Sequence, residues 1–151
     1  MNFFCAGILL LCTVSVANAD DRQVADAWLE AYQAQDFEAM GALLNESSRF
    51  IDPTSFGREG FDGPIDWMGP DAILSGIRAW GVTHAQYHFD DVFTSPGRVI
   101  YRGSIDVTYG TEDTRYSYNF PITTIITVES DHIAEHRDYT DYDGATALTH
   151  D

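Results

Sequence analysis

Two short stretches carry residue types that can move protons. "VIYRGSIDV", residues 99–107, holds Arg102, Ser104 and Asp106, and "IAEHRDYTDY", residues 133–142, holds His136, Asp138 and Asp141. In an extended strand, residues two apart project from the same face. Arg102, Ser104 and Asp106 therefore share one side of their strand, and His136, Asp138 and Thr140 share one side of theirs. Glu135, Arg137, Tyr139 and Asp141 take the opposite side, so Asp138 and Asp141 point apart. An aspartate in a partly apolar cavity, with an arginine and a second carboxyl beside it, makes a workable general acid/base pair. The counter-charge and the shared proton separate the two groups' proton affinities. Asp138, Asp106 and Arg102 are the residues from which such a pair would be built. The same three would equally serve as a buried ion pair or as surface salt bridges.

Other chemistries find less support. His84/His88 and His132/His136 are each four apart, a spacing that brings two ligands together on a helix. On strands it separates the side chains by about 13 Å, too far for one ion, so no metal is expected. No glycine-rich phosphate loop is present, and Ser75 and Ser104 lack the strand–turn–helix setting of a nucleophile elbow. The expected chemistry uses no cofactor.

The elements that must position these groups follow from periodicity. Val24, Trp28, Leu29 and Tyr32 recur at helical spacing between Asp20 and Leu44, and Asp36 is placed to cap a second short helix carrying Phe37, Met40, Leu43 and Leu44. "SRFID" reads as a short strand-like exit ending at Pro53. Residues 54–69, "TSFGREGFDGPIDWMG", read as a long loop whose Phe56, Phe61 and Trp67 suit a lid on an apolar surface. Pro70 starts a helix with Ile73, Ile77 and Trp80 on its buried side. After Gly81 the pattern alternates, with turns at Ser95-Pro96-Gly97, at "TEDT" and at "ESDH". Pro121 predicts an edge or a bulge in the third of these long strands. Helices followed by a long antiparallel meander make an α+β domain.

Bulk properties narrow the class. The chain has 151 residues, 44% of them hydrophobic and 13% aromatic, with a formal net charge of −16. All eight basic residues are arginines and form no basic patch, which argues against nucleic acid or anionic membranes as partners. "MNFFCAGILLLCTVSVANAD" has an apolar run from Phe3 to Val16 followed by Ala17-Asn18-Ala19, the small-x-small pattern of a signal-peptidase site. The run is short for a membrane span, so no stable anchor is expected. Cleavage after Ala19 would leave a secreted or periplasmic domain, residues 20–151, and would remove both cysteines, Cys5 and Cys12. Such a domain is large enough to stand on its core without disulfides.

A family resemblance runs through these segments. "SYNFPI" (117–122) and, after a matching interval, "IAEHRDYTD" (133–141) resemble two strands of limonene-epoxide-hydrolase-like proteins. "VIYRGSIDV" is similar to their strand bearing an Arg-x-Asp pair, and "GPDAILSGI" (69–77) to a helix start common across the nuclear-transport-factor-2-like superfamily, which includes the SnoaL-like proteins. The resemblance implies N-terminal helices packed on a strongly curved antiparallel sheet, forming a cone with an internal pocket. It implies Asp138 as catalytic base and Asp106 as partner acid. The bridging arginine falls on Ser104, so Arg102, one same-face step or about 7 Å away, would have to reach in. The tyrosine and asparagine that hold the attacking water fall on Phe50 and Asp52. SnoaL-like cyclases likewise resemble this chain in an aspartate at the position of Asp138.

The expectation is therefore acid/base chemistry on a small, mostly apolar molecule: hydration, isomerisation or cyclisation. The alternative is a non-catalytic domain that binds such a molecule. His136 and Asp52 are further candidates, and Phe50, Trp28, Tyr32, Trp67 and Trp80 are candidates for the pocket wall. Relatives often pair through the outer sheet face, so a homodimer is expected by analogy.

Overall fold

The computed structural model describes residues 19–58, 63–111 and 114–149. Residues 1–18 of the expected leader (1–19), and Phe61 of the expected lid, lie outside them. Helix α1 (Ala19–Ala34) buries Ala25, Trp28, Leu29, Ala31 and Tyr32, the stripe its spacing demands. Gln35, with φ of 54°, turns the chain out of α1, and Asp36 accepts from the Ala39 N–H at 3.0 Å to start α2 (Phe37–Ala42). A third helix, α3 (Pro70–Ala79), starts after Gly69, whose φ of 80° favours glycine, and buries Ile73 and Ile77.

Among the described residues seven strands form one curved, unclosed sheet. They are β1 (Arg49–Asp52), β2 (Ile65–Met68), β3 (Val82–Ser95), β4 (Arg98–Thr111), β5 (Thr114–Glu129), β6 (His132–Thr140) and β7 (Thr146–Ala147). The order is β2-β1-β6-β5-β4-β3, with β7 also paired to β5. Every junction is antiparallel except β1 with β6, which run parallel, so the sheet is mixed rather than a pure meander. The 54–69 segment is not one loop. A 3-10 turn (Pro53–Ser55) opens it, and Ile65–Met68 pairs with β1 as an edge strand. Phe56 is 72% exposed and covers nothing, whereas Trp67 packs on Phe50 and Trp80.

Curvature has a visible cause in β3. The register slips between Phe89 and Asp91, opposite Gly103, and a Cβ at Gly103 would come within 2.0 Å of the His88 carbonyl oxygen. Only glycine lets the bulged strand come this close. Pro121 obeys the edge rule in an unexpected way. Its carbonyl accepts from Asp141 N–H where β5 leaves β6 and before it meets β7. A residue's N and C=O point the same way, so the missing proline donor falls in the gap between two partner strands. Helix α1 crosses the concave face and touches β3, β4, β5 and β6.

Candidate functional site

Residues directly opposite in an antiparallel pair share a face. Asp138 on β6 lies opposite Thr124 on β5, which lies opposite Tyr101 on β4. That row is interior: Asp138 is 5% exposed, Thr124 0% and Tyr101 1%. Thr124 Oγ1 donates to Asp138 Oδ1 at 2.5 Å. His136, fully buried two residues earlier, places Nε2 2.9 Å from Asp138 Oδ2. The two atoms are close but lie off the axis of a hydrogen bond, so the contact is electrostatic rather than an aligned donation.

A cavity of about 190 Å³ opens in front of this carboxylate. Its apolar wall comes from Val82, Ile105, Val107, Phe120, Ile122 and Trp80. Polar residues on its wall are Asp138, Asp52, Thr140, Tyr32, Tyr87, Tyr109 and Tyr142, and among the described residues no arginine or lysine lines it. Of the expected wall residues, Tyr32 and Trp80 line the cavity. Phe50, Trp28 and Trp67 stand behind it, with Phe50 stacked on His136 at 4.3 Å between ring centres.

The expected Asp138–Arg102–Asp106 arrangement does not form. Tyr101, Ile105, Val107 and Tyr109 are the interior parity of β4, which puts Arg102, Ser104 and Asp106 on the outer face. Arg102 is exposed and pairs with Asp91 across β3. Asp106 accepts from Asn119 Nδ2 at 2.6 Å and contacts His88 Nε2 at 2.9 Å. Burial pushes the Asp106 carboxyl up, but these two partners outweigh it and hold the group below the usual range. Both polar residues sit outside because β4 has an apolar alternative to turn inward, and a one-residue slip would have reversed that. Asp106→Asn is accordingly expected to leave turnover within about two-fold, as a surface change would; a steady-state comparison with the parent protein checks this.

Asp52 is the second carboxylate at the cavity, 3% exposed, and it is saturated. Oδ1 accepts from Thr54 N–H at 2.8 Å and from the Thr54 hydroxyl. Oδ2 accepts from Thr140 Oγ1 at 3.1 Å and Tyr142 OH at 2.7 Å. Four donors occupy both of its oxygens, and their effect is to tie the end of β1 to the end of β6. Asp141 is exposed and accepts from Gly144 N–H, and Asp143 pairs with Arg58.

Sequence reasoning missed Thr124, Tyr87, Tyr109 and Tyr142. Thr124 was detectable, being the polar residue within the interior stripe Ile122, Ile126 and Val128. Tyr142 follows the last long strand and has no periodic signal. Burial first, and the Asp138 charge second, push the phenols of Tyr32 and Tyr87 well above the ordinary tyrosine range. Both therefore stay protonated and can act as O–H donors. Among the described residues the Tyr87 hydroxyl has no aligned hydrogen-bond partner; Thr124, which lies near it and offsets part of the rise, gives its own O–H to Asp138. Burial likewise leads the rise at Tyr101, Tyr109 and Tyr142. Above about pH 10 the unfolded chain releases protons that the native one keeps, so these groups make stability fall as pH rises. In a spectrophotometric titration four of the eight tyrosines, Tyr32, Tyr87, Tyr101 and Tyr142, should ionise only together with unfolding.

Comparison with known proteins bears on this arrangement. The SnoaL-like domain family matches residues 25–136. A protein described as a SnoaL-like polyketide cyclase from Shewanella denitrificans superposes with a TM-score of 0.72 at 18% identity, over 83% of this chain and 93% of its own. Delta 5-3-ketosteroid isomerase from a Mycobacterium species gives 0.72 at 16%, over 87% and 100%. An epoxide hydrolase of the limonene-epoxide-hydrolase-like type from M. tuberculosis gives 0.58 at 17%, over 81% and 83%. At these identities the likeness is one of fold. No curated protein matches in sequence.

Proposed function

The chain belongs to the SnoaL-like domain family, and on that premise we propose that it is a cofactor-independent acid/base enzyme acting on a small, neutral, mostly apolar molecule. The observation that carries this reading is one enclosed carboxylate, Asp138, facing an apolar cavity with a protonated phenolic donor, Tyr32, on its wall. Proteins of the same fold include an isomerase, an epoxide hydrolase and one described as a cyclase, reactions that all need a proton taken and a proton returned. Fold alone does not choose among them.

Asp138 accepts the proton, either from the substrate or from a water bound beside it. The electron pair released moves toward a substrate oxygen, which accepts from the Tyr32 hydroxyl on the cavity wall and so bears its developing charge in a largely dry site. Protonated Asp138 then returns the proton, and Thr124 and His136 hold the carboxylate through the cycle. A neutral substrate is favoured because, among the described residues, two carboxylates and no cation line the cavity, and an anion would meet both. The experiment is a panel of neutral epoxides, lactones and enolisable ketones incubated with the protein and followed by mass spectrometry or NMR. Product formation supports the reading. Ligand-dependent melting shifts without product, barely changed in Asp138→Asn, would favour a binding domain instead. The leader belongs to the same proposal: N-terminal sequencing of exported protein should begin at Asp20.

A further inference from the structure

Behind Asp138, away from the cavity, Trp28 Nε1 donates to His136 Nδ1 at 2.8 Å, between side chains 108 residues apart in sequence. An indole N–H can only donate. The nitrogen that receives it must therefore be the one carrying the lone pair, and the neutral ring keeps its hydrogen on Nε2. That nitrogen is the one 2.9 Å from Asp138 Oδ2. The ring cannot turn to improve this contact, because Phe50 stacks on its face and turning would break the bond from Trp28. His136 itself is fully buried and does not line the cavity, so it touches no substrate.

We propose that Trp28 locks His136 in the Nε2–H tautomer, and that His136 in that form is a positioning residue holding the Asp138 carboxylate from behind. Thr124 fixes Oδ1 and His136 faces Oδ2, so the remaining lone pairs are directed to the cavity. In the other tautomer a lone pair on Nε2 would face the carboxylate and repel it. The positioning role rests on Asp138 being the base; the tautomer does not.

Long-range 1H–15N correlation spectra of the whole protein with labelled histidines read the tautomer without any substrate. His136→Gln identifies the His136 signals by their loss. The expected result at neutral pH is a protonated Nε2 and an unprotonated Nδ1 for His136, redistributed toward a mixture in Trp28→Phe. An Nδ1–H ring, a doubly protonated ring, or a pattern unmoved by Trp28→Phe would overturn the proposal. If Trp28→Phe fails to fold, the wild-type tautomer still decides. With a turned-over substrate in hand, His136→Phe should lower kcat up to about ten-fold with KM little changed, less than the loss of an aligned hydrogen bond to a charged group would give. His136→Gln, which can present an N–H near the same place, should recover part of it, whereas equal losses in both variants would deny the positioning role. Failure of the tautomer leaves Asp138 as a base untouched, and unchanged turnover in Asp138→Asn would remove the base with the tautomer intact.

Discussion

Asp138→Asn is expected to lower kcat/KM about 10²- to 10⁴-fold, the usual contribution of a positioned general base, on any panel substrate the protein turns over. The substitution keeps the shape of the side chain and exchanges a proton acceptor for an amide. Thr124 can accept from the amide N–H instead, with the amide oxygen turned to His136, so the row Tyr101–Thr124–Asp138 is kept. The amide also removes an anion from the neighbourhood of two buried phenols, Tyr32 and Tyr87. Stability should therefore change little, and the loss should be kinetic. Steady-state rates beside circular dichroism of the two proteins separate the cases: a folded variant with unchanged turnover denies Asp138 the role.

Phe50→Ala is expected to give the largest loss of stability, about 3–5 kcal/mol. Phe50 is 1% exposed, sits on β1, and lies between His136 at 4.3 Å and Trp67 at 5.6 Å, with Trp80 and Tyr32 at 5.7 and 6.4 Å. Removing the ring opens a cavity that four large neighbours cannot collapse to fill, because β1 is paired on both sides and α3 is fixed at Gly69. Chemical denaturation should show a lower midpoint at an unchanged slope. A loss under about 1 kcal/mol would mean that the column of rings is not close-packed.

Much of this architecture is legible in the chain itself. The α1 stripe, the Asp36 cap, the Pro70 start and the alternation after Gly81 are local patterns, and local chemistry fixed them. Strand parity also grouped His136 with Asp138 and Thr140, and all three are on one face. What parity cannot give is which face is inside. On β6 both faces are polar, so Asp138 becomes interior only through its register with Thr124 and Ile122 on β5. On β4 the polar set Arg102, Ser104 and Asp106 has the same spacing, yet the apolar set won the interior. Resemblance at the level of a motif tolerates a shift of one residue; a sheet does not. Asp52 shows a second limit, since three of its four donors belong to Thr140, Tyr142 and the hydroxyl of Thr54, and a saturated carboxylate looks like a free one in sequence. The edge strand Ile65–Met68 hides in a glycine-rich segment because its pairing with β1 is tertiary.

The central claim is that the interior carboxylate, Asp138, meets the reacting group, while Asp106 on the outer face does not. A crystal structure with a bound panel molecule that the protein turns over, trapped in Asp138→Asn, tests this most directly. The account predicts the reacting atom, or the water that attacks it, within about 2.6–3.2 Å of the side chain at position 138, with a substrate oxygen on the Tyr32 hydroxyl. A ligand seated on the outer face beside Asp106 and Arg102, or in the cavity with its polar group turned away from position 138, would contradict it.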